Sequence, residues 1–291
     1  MLTSEDQRFA DLRSPRRIWA VGAVHGEVER LETVHSEVGR RFTPGDRLVY
    51  LGNMVGRGPA VAETVDELLA FRLALLSVPG MKAEDVVYLR GAQEEMWQKL
   101  LQLQFAPNPA QVLAWMLNQG LGATLAAYGG NAEVGLRSAR EGAVSLTRWT
   151  NGLRAAIRAH PGHENLMSAL RRAAFTSMPV SGQPGSADGA PPDGAPNARV
   201  PAGILLVHSG IDTSRPLGAQ GDSFWWGGSG FHRISDPYGT FHRIVRGFDP
   251  ANGGVVVTDH TATIDAGCGL GGRLACACID PSGNVTEIIE A

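Results

Sequence analysis

Five short glycine-bearing loops carry most of the residues whose chemistry could define a site. They read GAVHG, LGNMVGRGP, LRGAQEEM, VHSGI and RIVRGFDP, and they hold His25, Asn53, Arg57, His208 and Arg246 directly after apolar runs. Imidazole and amide groups can ligate a metal, whereas guanidinium groups bind phosphate and carboxylate. Because ligands of α/β proteins lie beyond the carboxyl ends of strands, the loops predict a site at one edge of a sheet.

The elements that must position these loops alternate between strand and helix patterns. Apolar residues recur every three or four positions in 27–41, which follows the apolar run 18–21. The same unit repeats as a strand at 47–51 and a helix at 60–76, and a third strand is expected at 86–89. This alternation predicts an α/β fold.

The rest of the chain divides by composition. Residues 97–178 have helical patterns and are expected to form a cap over the sheet edge, and the C-terminal part is expected to be all-β. Residues 181–202 are so rich in Gly, Pro, Ser and Asp that we expect a flexible surface insertion, dispensable for folding. The sequence thus predicts a polar leader at 1–16 and one domain at 17–291.

Composition excludes several classes of function. The 291 residues are 43% hydrophobic and 19% charged, with a net charge of -3, and no long basic run is present. A nucleic-acid-binding surface is usually strongly basic, so no nucleic-acid partner is expected. The N-terminus has acids and arginines where a signal peptide needs an apolar core, and no apolar run reaches about 18 residues. We therefore expect a cytoplasmic protein with no membrane partner.

Three cysteines lie near the C-terminus at positions 268, 276 and 278. Cys276 and Cys278 would share one face of a strand and could in principle bind a soft metal. The spacing matches no common zinc pattern, so the favoured interpretation is that they are small buried apolar residues.

Taken in order, the five loops resemble the motifs of the metallophosphoesterase (calcineurin-like) superfamily. These motifs are GDxHG, GDxVDRGP, RGNHE, VHAG and GHTP, and the resemblance is to the bacterial serine/threonine protein phosphatase and diadenosine tetraphosphatase-like branch. Three flanking segments, WMLNQGLGATLAAYG, FWWGGSGF and IDAGCGLGGRLACACIDPSG, are similar to further patterns of that branch. The resemblance covers the chain from Arg17 to its C-terminus. It implies a β-sandwich flanked by helices (α/β/β/α) with a helical cap.

The resemblance implies a two-metal phosphoesterase centre, but most of its ligand positions are replaced. Two hard cations need anionic oxygen ligands, one of them bridging, and a neutral amide is a poor bridge. The six ligand positions are here Ala23, His25, Asn53, Ala92, His208 and Phe248. Gln93 stands at the position of the general acid, and Gly56 replaces the Asp that orients it. We therefore expect no catalytic residues and no metal cofactor.

The positions that survive suggest an anion-binding pocket without metal. Arg57 matches the family's phosphate-contacting arginine, and Arg246 stands where the branch usually has a histidine. With His25, His208 and Arg90, they could bind an anion by charge-assisted hydrogen bonds. The alternatives remain open that Arg57 and Arg90 tie loops to backbone carbonyls and that the histidines are hydrogen-bonded core residues. Gly228 replaces an arginine of the branch pattern, which removes a further polar contact.

These observations favour a catalytically inactive phosphatase-like protein, a pseudophosphatase that binds a protein partner, with a phosphorylated protein as one candidate. One alternative is a weak or altered phosphoesterase with a single rebuilt divalent metal (Mn, Fe, Zn or Mg). Asp249, Glu94 and Asp259 are close enough in sequence to the loops to contribute to it. A second alternative is a structural subunit of a complex.

Overall fold

The computed structural model describes residues 8–177, 202–227 and 230–291. The predicted insertion, apart from Ala202, and Gly228 lie outside the described residues. No helix in the described ranges is long and apolar enough to cross a membrane.

A five-stranded sheet is built from both ends of the chain, in the order β11-β10-β2-β3-β4. Strands β2, β3 and β4 are parallel, and α1 and α2 connect them as the sequence predicts. Strand β10 pairs antiparallel with β2, and β11 forms a hairpin with β10. Their bounds are β2 Ile18–Val21, α1 Val28–Gly39, β3 Arg47–Tyr50, α2 Val61–Leu76, β4 Val86–Tyr88, β10 Ala275–Ile279 and β11 Val285–Glu290.

A six-stranded sheet has the order β1-β5-β6-β7-β9-β8. Its strands are β1 Phe9–Asp11, β5 Ala173–Phe175, β6 Gly203–Val207, β7 Phe241–Arg246, β8 Val256–Val257 and β9 Thr261–Thr263, and α9 (Ser223–Trp226) packs against it. Strand β1 falls within the predicted polar leader, which is thereby corrected. It pairs in parallel with β5, and Leu12 is buried after it, so this part of the leader belongs to the fold.

The two sheets pack face to face. Ile18 and Val49 of the five-stranded sheet share one apolar cluster with Leu206 and Val245 of the six-stranded sheet. The alternate side chains of the same strands, including Trp19, pack instead against α1 and α2. Both faces are therefore covered, which confirms the predicted arrangement of two sheets between helical layers.

The cap has its own apolar core, centred on Trp97, Leu113 and Tyr128. Its helices are α3 Ala92–Leu100, α4 Pro109–Met116, α5 Gly122–Ala127, α6 Ala132–Glu141, α7 Ala143–Ala159 and α8 His163–Ser168. A π-helical turn at Leu117–Leu121 joins α4 to α5, with Gly120 in the left-handed region at φ 100°. The predicted cap range ended at 178, but β5 already returns the chain to the sheet.

The cysteines follow the favoured interpretation. Cys276 and Cys278 are buried in the cluster beneath α1 and α2, and the Sγ of Cys268 donates to the carbonyl of Val24 at 3.1 Å. All three are free thiols.

Candidate functional site

The loops that follow β2 and β3 are braced against each other. The backbone N–H of His25 donates to Asn53 O at 2.7 Å, and that of Gly58 donates to His25 O at 2.6 Å. His25, Asn53 and Arg57 all have left-handed backbone, with φ between 51° and 56°. This region costs a residue with a Cβ about 1–2 kcal/mol. The loops thus hold three side chains in a strained but cross-linked arrangement.

Glu94 at the start of α3 fastens the same loops. Its buried carboxylate accepts backbone N–H groups of Asn53 at 2.9 Å, Val55 at 3.1 Å and Gly91 at 2.8 Å. Burial raises the pKa of Glu94, and these hydrogen bonds act in the opposite direction. The carboxylate that the sequence offered for a rebuilt metal site is engaged with the backbone.

The two remaining imidazoles are buried and neutral. His208 Nδ1 lies 2.8 Å from Leu51 O, so it carries the proton and leaves Nε2 as an acceptor. Burial lowers the pKa of His208 to about 4. Burial, then the charge of Arg57, lowers the pKa of His25 to about 3. The histidines therefore add no positive charge to the cleft at neutral pH, which corrects their expected contribution to its potential.

Phe248 lies between these imidazoles. Its ring stacks on His208 with centroids 5.4 Å apart and meets the edge of His25 at 5.8 Å. Its backbone N–H donates to His208 O at 3.0 Å, which holds the ring in place. The position at which the sequence resemblance implied a metal ligand thus holds an apolar ring in contact with both histidines.

Arg246 has an internal counter-charge. Its Nη2 lies 3.0 Å from Asp249 Oδ1, and its Nε donates to Thr263 Oγ1 at 2.9 Å. Its guanidinium also lies 4.3 Å from the centre of the Phe231 ring. The sequence made Arg246 a candidate anion-binding residue and Asp249 a candidate ligand of a rebuilt metal site; in the structure the two residues form an ion pair with each other.

Arg57 differs from Arg246 in its surroundings. Within the described ranges its guanidinium has no hydrogen bond or ion pair, and its Nε is buried. Its backbone N–H donates to Gly120 O of the cap at 3.1 Å, and a Cβ at Gly120 would lie 2.7 Å from Arg57 Cγ. The left-handed Gly120 therefore gives the arginine stem its room.

Gln93 also links the cleft to the cap. Its Nε2 donates to Gln119 O at 2.8 Å, and its backbone N–H donates to Asn53 Oδ1 at 2.9 Å. A Cβ built at Gly56 would lie 2.5 Å from Gln93 Oε1. The Gln93 side chain therefore occupies the space that a side chain at position 56 would need. Gln93 and Gly56, which both differ from the motifs that the sequence resembles, are neighbours in the structure.

The other predicted residues lie at the margin of this group. Arg90 pairs with Glu95 at 3.2 Å and lines a separate cavity of about 380 Å³ with Trp97 and Arg154. Ala23 and Ala92 are buried apolar residues. Asp259 is exposed. The structure thus brings together His25, Asn53, Arg57, Gln93, His208 and Phe248, and not Arg90.

Two features of the site were missed by sequence reasoning. The carbonyls of Gln119 and Gly120 reach Gln93 and Arg57 from the cap, and the Phe248 ring contacts both imidazoles. The sole sequence signal for the first is the glycine-bearing stretch NQGLG. The second depends on contacts of Phe248 with residues that lie far from it in the chain.

The donors that remain do not fit a two-metal centre. Two neutral imidazoles and the Asn53 amide are buried here, and Asn53 Oδ1 already accepts the Gln93 N–H. Glu94 and Asp249 are engaged elsewhere. Among the described residues, no group of three or more His, Cys, Asp or Glu side chains is placed to hold a metal ion. The retained donors therefore match neither the number nor the charge of the ligands that paired divalent cations need.

Comparison with solved structures decides the fold. A protein provisionally named diadenosine tetraphosphatase aligns with 98% of this chain and 97% of its own, with a TM-score of 0.52 and 16% identity. The chain has a phosphatase-like fold. A serine/threonine phosphatase from Saccharomyces cerevisiae (TM-score 0.45, 13% identity, 96% of this chain and 81% of its own) and a cold-active protein tyrosine phosphatase (TM-score 0.48, 12% identity, 99% of this chain and 83% of its own) align less closely. No protein-family model and no curated protein sequence matches the chain.

Proposed function

We propose that this chain is a phosphatase-like protein that does not hydrolyse phosphoesters and acts by binding a protein partner. The observation that carries the proposal is the Phe248 ring, which contacts both His25 and His208 where the fold's hydrolases are expected to hold metal. The absence of a general acid at Gln93 supports it further, because an amide cannot release a proton.

A phosphate-release assay tests catalytic silence. We expect no release above buffer from phosphomonoesters, phosphopeptides or dinucleoside polyphosphates with excess Mn²⁺, Fe²⁺, Zn²⁺ or Mg²⁺. The matched control is the double variant His25→Ala/His208→Ala, which removes both imidazoles. Turnover approaching about 10 per second, lost in the double variant, would overturn the proposal and favour the single-metal alternative. Activity that the double variant retains would come from a contaminating enzyme.

Arg57 is the proposed contact with the partner. Its guanidinium has no counter-charge in the described part of the chain, and its buried Nε has no hydrogen-bond acceptor there, which is unfavourable. An anionic group of the partner, either a phosphoryl group or a carboxylate, would supply it through charge-assisted hydrogen bonds. The neutral histidines and the Arg246–Asp249 pair leave Arg57 as the main positive charge that faces the cleft.

Calorimetric titration with a phosphopeptide, followed by the partner captured from cells, tests this contact. Arg57→Glu should weaken binding by about 2 kcal/mol or more. Arg233→Met removes one exposed arginine on another element and is the matched control. Equal affinities of the wild type and Arg57→Glu would mean that Arg57 is structural and that the partner binds elsewhere. A structural-subunit role would then be favoured.

A further inference from the structure

A second group of arginines lies outside the cleft, where β1 runs beside β5. Phe9 pairs with Ala173 in parallel register, so Arg8 and Arg172 directly precede paired residues. The backbone N–H of Arg172 donates to Arg8 O at 2.8 Å. Both arginines come directly before the first residues of their strands, so two cations occupy neighbouring positions at the edge of the six-stranded sheet, where like charges are unfavourable.

Arg90 brings a third cation to this place. Its backbone N–H donates to Arg171 O at 2.7 Å, which joins the end of β4 to the residue before Arg172. Burial, then the charges of Arg8 and Arg90, lower the pKa of Arg172, and Glu95 and Asp222 offset only part of this effect. The fold thus concentrates positive charge around a partly buried arginine.

The local acids Glu95 and Asp222 compensate this charge only in part. Glu95 is shared between Arg90 at 3.2 Å and Lys99 at 3.4 Å. In the described ranges, the guanidinium groups of Arg8 and Arg172 have no hydrogen bond or ion pair. Arg172 lies 5.4 Å from the ring centre of Trp225, whose indole Nε1–H is buried and has no partner there either. The buried Trp225 indole donor thus has no acceptor in the described ranges, which is unfavourable, and the Arg172 guanidinium lies beside its ring without an ion pair.

We propose that Arg8, Arg172 and Trp225, with Arg90 beside them, form an anion site outside the cleft that takes a phosphate group. A phosphate carries close to two negative charges and several acceptor oxygens, which suits two unpaired guanidinium groups and an indole donor. Stacking on Trp225 restricts Arg172 and reduces the entropy lost when it binds. The site is independent of Arg57, so the proposed function of the cleft can fail without affecting it.

Nuclear magnetic resonance with ¹⁵N-labelled tryptophan tests the site directly. Titration with inorganic phosphate, against chloride at equal ionic strength, should shift the Trp225 indole resonance, which Trp225→Phe identifies. A second titration with a phosphoserine peptide shows whether the site binds free phosphate or a phosphorylated protein segment more tightly. Arg172→Met keeps an apolar stem over the indole and should weaken phosphate binding at least about tenfold. Arg140→Met, an exposed arginine on the cap, is the matched control and should leave the affinity unchanged.

Three results would overturn the proposal. They are an unmoved indole resonance, an equal shift with chloride, or equal phosphate affinity in Arg172→Met and Arg140→Met. Arg57→Glu, followed in uniformly ¹⁵N-labelled protein, separates the two sites, because it should leave the Trp225 shift intact while abolishing any phosphate response of the Gly120 backbone amide. Loss of both responses in Arg57→Glu would show a single site in the cleft and contradict the second one.

Discussion

The loops of the two sheets contribute to the candidate site in different ways. The loops of the five-stranded sheet hold left-handed backbone at His25 and Asn53 and are fastened by one buried carboxylate, Glu94. The loops of the six-stranded sheet contain an aromatic ring, Phe248, and a neutralised ion pair, Arg246–Asp249. One side thus consists of strained loops braced by hydrogen bonds, and the other is filled by its own side chains.

This contrast between the two sets of loops shows that loop shape and site chemistry depend on separate interactions. Backbone hydrogen bonds and Glu94 maintain the strained turns whether or not a metal ligand is present at Asn53. The charge in the cleft depends instead on individual side chains, since Arg246 is paired internally and Arg57 is not. The following predictions test these two kinds of interaction, beginning with the largest effect.

The largest effect is expected when the ion pair of the six-stranded side is broken. Asp249→Ala leaves the buried Arg246 guanidinium without its carboxylate, which should lower the free energy of unfolding by about 3 kcal/mol. Urea denaturation measures the loss. Asp259→Ala, an exposed acid nearby in sequence, is the control and should cost less than about 0.5 kcal/mol. Similar losses would mean that the pair does not stabilise this side.

The second-largest loss of stability is expected when Glu94, which braces the loops of the five-stranded sheet, is changed. Glu94→Gln keeps the shape of the side chain, but its single carbonyl oxygen cannot accept all three backbone N–H groups. One buried donor is left unpaired, so unfolding should become about 2 kcal/mol easier. Glu95→Gln is the matched control, because its partners Arg90 and Lys99 reach solvent, and about 1 kcal/mol or less is expected. Equal losses would contradict the bracing role of Glu94.

Much of this architecture could be predicted from sequence because it depends on local periodicity. The alternating strands and helices from Ile18 to Leu76 follow short-range apolar patterns, and the cap follows helical ones. Strand β1 was missed because three residues after a polar run carry almost no pattern, and its pairing with β5 and the Phe9–Phe224 contact both join residues far apart in the chain.

The sequence predicted where the site residues lie along the chain, but not which residues they pair with. Motif order located Arg57, Arg246 and Arg90, yet their counter-charges depend on three-dimensional neighbours. Asp249 pairs with Arg246 only because the loop after β7 turns back on the strand end, and Arg90 meets Glu95 across the first turn of α3. The charge of the histidines was also misjudged, because their neutral state follows from burial.

The pH dependence of stability tests whether His25, from the five-stranded sheet, and His208, from the six-stranded sheet, are neutral in the folded protein. In the folded protein the pKa of His208 is about 4 and that of His25 about 3, below the ordinary value of 6.5. Between these limits the unfolded chain binds protons that the folded chain excludes, so stability is lost as the pH falls below 6.5. From pH 7.5 to 5.5 each imidazole should cost about 1.4 kcal/mol. In His208→Gln the decline should be smaller by that amount, and an unchanged decline would mean that His208 is protonated in the folded state.

The smallest effect concerns the link between the five-stranded side and the cap. Gln93→Ala removes the hydrogen bond from Nε2 to Gln119 O, a neutral pair that stabilises by about 1 kcal/mol. Global stability should therefore change little, whereas amide hydrogen exchange should accelerate locally in the π-helical turn 117–121, because such a turn can open without unfolding the sheets. Gln98→Ala, on the same helix, is the control and should leave exchange in that turn unchanged. If both variants exchange alike, the cap is held by its apolar core, and Gln93 only fills the space over Gly56.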